Sequence, residues 1–259
     1  MSRDELSARS VTASLPTRYI GQNVIFRGKL SSTMDLARKE MQHGAANGTV
    51  VLAGEQTAGR GRLGRSWLSP RGNLALSIIL YPQEQYLSSL VMVASLAAAQ
   101  SIESHSGLNV DIKWPNDILI RGKKVCGIMI ESGLAATSRC YAILGLGLNV
   151  NMRLADYSEI AATATSLSDE TGKEVSRLAL VRELLTQLER WYEALLCGES
   201  VYVSWRQRVI TLGKAVRVQA GEMSFEGVAE SVGTDGSLLL RLADGKLVAV
   251  PAGDVTLRA

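Results

Sequence analysis

Residues 59–67 read GRGRLGRSW, with three arginines and three glycines in nine positions and no acid among them. Glycine lets the backbone approach a ligand closely and take φ > 0. Arginine adds planar, permanently charged forks that match carboxylate or phosphate. Such a stretch is poorly suited to a core and well suited to wrapping an anion. The flanking segments, residues 49–56 and 73–81, are apolar and read as strands that hold its two ends.

The letters of residues 59–64 also match G-x-G-x-x-G. A dinucleotide-binding fold needs a helix to open at the end of that motif. Here Pro70 and Gly72 follow, and the next pattern is a strand. Two arginines inside the motif would also crowd a tight glycine turn. The dinucleotide reading is therefore set aside.

The chain has 259 residues, 46% hydrophobic and 20% charged, enough for one large domain with a small one attached. Its 28 basic and 25 acidic residues leave +3. That near balance does not point to nucleic acid, so the local cluster at Arg60, Arg62 and Arg65 says more than the total. Cys126, Cys140 and Cys197 are odd in number and widely spaced, as expected for reduced thiols in a cytoplasmic protein. His43 and His105 lack metal-type spacing. No apolar run reads as long enough to span a membrane, and the first residues lack a signal-peptide core, so no membrane partner is expected.

Along the chain, residues 1–20 read as a flexible lead-in or a first short element. Residues 24–30 form a strand. Ser32 then stands as N-cap of a helix, with Asp35 at its third position and Met34, Ala37 and Met41 on one face. Ser32 and Thr33 either cap this helix or offer hydroxyls and amides to a polar ligand. The arginine loop has no core-forming pattern and is expected to be mobile until something binds. Residues 86–105 form a core helix stopped by Gly107. A short strand, 110–114, ends at Pro115. Strands 117–120 and 124–131 form a hairpin, which brings Lys124 near Asp117 across the ladder. Lys124 is either an ordinary exposed hairpin lysine, the reading its position alone favours, or a lysine kept protonated by the carboxylate as a point charge for phosphate. Strand 139–150 contains Gly145 and Gly147, a sign that something packs on its backbone.

Residues 151–176 read as a loop, followed by helices at 176–197 and 200–209. From Gly213 the pattern changes to alternating segments broken by turns, a module of about five strands. The expected units are the lead-in 1–20, a catalytic domain 21–211 and a β domain 212–259. The fold class is α+β, with a mixed sheet flanked by helices. Residues 113–117, KWPND, form a strand-end turn with a buried Trp114. Asn116 and Asp117 either make an Asx turn there or face a ligand.

These residues resemble one family. Ser32-Thr33-Met34, the loop with Trp67, KWPND, Lys124 with Gly127 and Glu131, the glycine strand through Asn149, and residues 164–167 stand in the order and spacing of biotin protein ligases. The resemblance covers roughly residues 25–259. It implies a class II synthetase-like catalytic domain and a C-terminal SH3-like β-barrel. It implies an ATP-dependent enzyme that makes biotinyl-5′-AMP and pyrophosphate, then transfers biotin to a lysine of the biotin carboxyl carrier protein.

For the site, the resemblance makes Lys124, Arg60 and Arg62 the catalytic residues. The two arginines clasp the biotin carboxylate and adenylate phosphate, and Lys124 lies where the two react. Ser32, Thr33 and Gln56 hydrogen-bond the ureido ring. Met34, Gly61, Gly127 and Gly147 complete the biotin pocket, the glycines of the sheet offering bare backbone to the ligand. Arg62, Trp67, Asn116, Asp117, Lys124 and Asn149 serve ATP. Asp117 orients Lys124 or helps to place metal, and Mg²⁺ is held mainly through the ATP phosphates, with no protein ligand set. Met34 and Leu63 depart from the polar and basic residues common at these positions. Bifunctional members carry an N-terminal DNA-binding domain. Residues 1–20 leave no room for one, so a ligase without nucleic-acid partner is expected, as monomer or homodimer. A lipoate–protein ligase, which shares the catalytic fold, is the nearest rival; the loop and KWPND discriminate against it.

Overall fold

The computed structural model describes residues 6–135 and 138–257. Seven strands form the main sheet: β1 (Val24–Arg27), β2 (Val50–Ala53), β3 (Leu74–Leu80), β4 (Asp111–Lys113), β5 (Asp117–Ile120), β6 (Lys123–Leu134) and β7 (Cys140–Leu148). Their order is β1-β2-β3-β7-β6-β5-β4. The β1–β2 pair is parallel and all other neighbours are antiparallel, so the sheet is mixed.

Side chains alternate across a strand, and here the alternation sorts the sheet into two unlike faces. Leu74, Leu76, Ile78 and Leu80 of β3 join Leu144, Leu146 and Leu148 of β7 in the main core. Helices α3 (Leu90–Ser106) and α5 (Arg177–Leu196) cover that side; Gly107 ends α3 in the left-handed region at φ 71°. The opposite face carries Ala75, Ser77, Gly145 and Gly147. Helix α2 (Thr33–Gln42) covers part of it, through Met34, Ala37 and Met41.

Four expectations change. Residues 84–89 wind as a 3₁₀ turn rather than the start of α3, and no side chain caps either the turn or α3. The segment Glu84–Ser106 does have the length and apolarity of a membrane span, but Leu90, Met92, Leu96 and Ile102 are buried inside the protein, as in a core helix. The segment from Leu6 is the first short element, not a loose lead-in: α1 (Ala8–Thr12) buries Val11, and Glu189 of α5 accepts the backbone N–H groups of Arg18, Tyr19 and Ile20. The stretch 151–176, read as a loop, contains α4 (Leu167–Thr171), capped by Ser166.

After α6 (Val201–Arg206) come five antiparallel strands: β8 (Ala215–Ala220), β9 (Met223–Val232), β10 (Leu238–Arg241), β11 (Leu247–Val250) and β12 (Asp254–Leu257), ordered β11-β10-β9-β8-β12. This module docks on KWPND. The Trp114 indole N–H donates to the Gly236 carbonyl at 2.8 Å, and its backbone N–H to Thr211 Oγ1 at 3.0 Å.

Candidate active site

The emptied face of the sheet, the start of α2 and the arginine loop enclose one pocket. At its inner end Gln56 Oε1 accepts from the Thr33 backbone N–H at 2.7 Å and from the Thr33 hydroxyl at 3.0 Å; Ser77 in turn donates to Thr33 at 2.9 Å. Ser32 holds the N-cap position but makes no capping bond, and its hydroxyl is buried without a partner. A buried hydroxyl left unmatched costs about 1–3 kcal/mol. Of the two readings of Ser32, the geometry favours the ligand over the cap.

The glycines serve the protein's own side chains as well as the pocket. A Cβ on Gly147 would lie 2.3 Å from Trp67 Nε1, and one on Gly127 would lie 3.0 Å from Trp67 Cζ3. A Cβ on Gly145 would lie 2.6 Å from Met34 Sδ. The expected bare backbone is therefore occupied by an indole and a thioether, although all three glycines still border the pocket. The Trp67 indole N–H is buried without a partner.

The loop is folded back on itself. Gly61 N–H donates to the Arg65 carbonyl and Trp67 N–H to the Gly59 carbonyl, both at 2.8 Å. The turn passes through Leu63 at φ 55° and Gly64 at φ 73°. The three arginines diverge. Arg60 pairs with Asp35 at 2.8 Å and Glu131 at 3.1 Å; Arg65 pairs with Asp254 of β12. Arg62 makes no ion pair among the described residues. It donates to Asn116 Oδ1 at 2.8 Å and to the Gly253 carbonyl at 3.4 Å. Burial pulls its guanidinium below the ordinary arginine value, offset in part by Asp254 and Asp117. Arg62 is thus a partly buried cation held by neutral acceptors.

Lys124 behaves as the hairpin predicts. Its Nζ lies 2.6 Å from Asp117 Oδ1 and 5.3 Å from the centre of the Trp67 ring. A register shift between Ile118 and Leu119 lets the two side chains meet. Of the readings of Asp117, orienting Lys124 is the one the geometry carries. Asn116 and Asn149 are more committed than expected. Asn116 also donates to the Ile128 carbonyl, and Asn149, buried, donates to the Thr165 carbonyl at 3.0 Å. Asn149 thus ties the end of β7 to residues 164–167 while bordering the adjoining groove.

That groove has a volume of about 860 Å³ and adds Lys113 and Lys214 to the basic lining. It meets the first pocket at Gln56, Arg65, Ser66, Trp67, Asp117 and Lys124. Sequence reasoning missed Asp35, Asp254 and Lys214 as site neighbours, and named Lys113 only as part of KWPND. For Asp254 no local signal exists, since it comes from the other domain. Among the described residues no three acid, histidine or cysteine side chains converge to hold a metal.

Residues 28–149 match the biotin/lipoate A/B protein ligase family, and residues 211–258 match the biotin protein ligase C-terminal domain. The chain is 34% identical to the bifunctional ligase/repressor BirA of Bacillus spizizenii, over 93% of this chain and 76% of the relative. It is 33% identical to the biotin–[acetyl-CoA-carboxylase] ligase of Paracoccus denitrificans, over 82% of this chain and 91% of the relative. The structure of the Aquifex aeolicus biotin protein ligase in complex with biotin and ATP superposes with a TM-score of 0.78 at 28% identity, covering 92% of this chain and 99% of that one. A pocket ending in spare hydrogen-bonding groups, a basic groove beside it and two cations at their junction stand on the fold of these relatives: the chain belongs to the biotin protein ligases of the biotin/lipoate A/B protein ligase family.

Proposed function

We infer that the chain is an ATP-dependent biotin protein ligase. It activates biotin as biotinyl-5′-AMP, releasing pyrophosphate, and transfers biotin to a lysine of a biotin carboxyl carrier protein. The observation that carries this reading is the meeting of the pocket and the groove at Lys124, with Arg62, which makes no ion pair among the described residues, lining the pocket next to it.

The chemistry explains why two cations are needed there. A carboxylate oxygen attacks the α-phosphorus, the bond to the pyrophosphate oxygen breaks, and two anions must approach each other. Lys124 and Arg62 offset that repulsion and stabilise the charge as it shifts, from fixed positions in a partly dry site. Ser32, Thr33 and Gln56 suit a neutral ureido ring, whose carbonyl accepts and whose N–H groups donate. In the second step the acceptor amine attacks the acyl carbon, AMP leaves, and the amine nitrogen loses its proton. Lys113 and Lys214 suit the triphosphate along the groove. Of the groove carboxylates Asp117 and Glu159, Asp117 is already engaged by Lys124. Magnesium would travel with the nucleotide phosphates rather than in a cage of protein ligands, none of which is formed among the described residues. Free thiols at Cys126, Cys140 and Cys197 and the need for ATP support a cytoplasmic setting. The described site draws on one chain alone, so either monomer or homodimer can carry it.

Intact-mass measurement of a carrier domain incubated with the protein, ATP and biotin tests the reading. One biotinyl group should be added, on a single lysine. Addition of lipoyl in preference to biotinyl would move the protein to the lipoate branch. No transfer and no biotin-dependent pyrophosphate release would remove the ligase assignment.

A further inference from the structure

Arg60 carries a permanent charge at the mouth of the pocket, and the family resemblance directs that charge to the ligand. The structure directs it elsewhere. Arg60 Nη2 lies 2.8 Å from Asp35 Oδ1 and 3.1 Å from Glu131 Oε1. Its Nε and Nη2 atoms are buried and make no hydrogen bond among the described residues, so these two contacts are close ion pairs between partly exposed side chains. Arg38 reaches the same two carboxylates, Asp35 at 3.3 Å and Glu131 more closely. Two cations and two anions thus form a neutral ring across three elements: Arg60 from the loop, Asp35 and Arg38 from α2, Glu131 from β6.

Each of those elements lines the pocket. α2 begins beside Ser32 and contains Thr33; β6 carries Lys124 and Gly127. For Arg60 to turn toward a ligand anion it would have to leave both carboxylates facing a single cation. Arg62 has no such commitment. The remaining arginine, Arg65, is spent on Asp254.

We propose that Asp35 and Glu131 are positioning residues. They hold the Arg60 guanidinium, and through it they set the backbone of residues 59–62 over the pocket. The charge of the substrate carboxylate then falls to Arg62 and Lys124. This rests on the assignment of the pocket to biotin. It divides the arginines of the loop into anchors, Arg60 and Arg65, and one ligand cation, Arg62.

The test uses the full chain as wild type, Glu131→Gln, Arg60→Met, Arg60→Lys and the Glu131→Gln/Arg60→Met double variant. The readouts are biotin-dependent pyrophosphate release, tryptic nicking of the loop and Tm. Glu131→Gln should raise KM for biotin about tenfold by loosening the backbone over the pocket, while kcat changes less than about threefold. Nicking in the loop should accelerate with Tm unmoved. Arg60→Lys should recover most of what Arg60→Met loses. The double variant should be no worse than Arg60→Met, because the ring is already broken. The proposal is overturned if Arg60→Met raises KM while Glu131→Gln leaves KM and nicking at wild-type values; Arg60 would then act on the ligand directly. An additive double variant also overturns it. If the wild type itself releases no pyrophosphate with biotin, the biotin assignment fails, and the nicking rates still decide whether the ring holds the loop.

Discussion

Leu144 and Gly145 are neighbours on β7, yet they answer to different demands. Leu144 points with Leu146, Leu148 and the leucines of β3 into the core under α3 and α5. Gly145, Gly147, Ala75 and Ser77 point the other way, where a larger side chain would strike Met34, Trp67 or the pocket. The first face is filled and holds the sheet. The second is emptied and holds the chemistry. Damage should therefore appear as lost stability on one side and as lost turnover on the other.

Changes on the emptied side have the largest expected effects. Lys124→Ala should lower biotin-dependent pyrophosphate release about 10²–10³-fold, the usual cost of one fixed stabilising group in a transition state. Biotin affinity by calorimetry should fall far less; equal losses in both would mean that Lys124 acts only in binding. Gly147→Ala should expel Trp67, whose Nε1 lies 2.3 Å from the new carbon. Turnover should drop about a hundredfold through misplacement of the loop, while the thermal transition stays near wild type. A large Tm loss would show that the two faces are not independent.

Leu144→Ala makes the opposite case. It should cost about 2–5 kcal/mol in denaturant unfolding, with kcat/KM of the folded fraction unchanged. Gly145→Ala is milder than Gly147→Ala, since Met34 Sδ at 2.6 Å is the end of a flexible side chain and can give way. An increase in biotin KM of about tenfold, read from pyrophosphate release, would fit a displaced thioether. The smallest effect lies in the β domain, away from both faces. Ser237 donates to Asp235 from hydroxyl and backbone and holds its carboxyl below the usual value. A lowered folded-state pKa stabilises above the unfolded pKa, and this is lost as pH falls through the folded one. Because Asp235 is exposed, solvent screening reduces the effect, and Ser237→Ala should cost only about 0.5 kcal/mol at neutral pH and less in acid, measured by urea unfolding across pH.

Much of the site was legible because its signals are local. The arginine-glycine loop, the Ser32-Thr33 helix start and KWPND each lie within a few residues, and the 121–123 turn brings Lys124 to Asp117. What could not be read was the partner of each charge. Arg60 and Arg62 are two residues apart, carry the same side chain, and were given the same role. One faces two carboxylates and the other an amide and a carbonyl. The seat of Trp67 was equally hidden. Gly145 and Gly147 announced that something packs on β7, but not that an indole from the loop is part of it.

By itself the sequence determined the α+β class, the change to β structure near Gly213, the chemical character of the loop and the family resemblance. These depend on spacing, periodicity and residue type, which act over short range along the chain. Only the tertiary structure decided which arginine is free, which asparagine is committed and what the sheet glycines make room for. Those outcomes depend on through-space neighbours, and the neighbours exist only once β3, β7 and β6 have paired and the β domain has closed over KWPND.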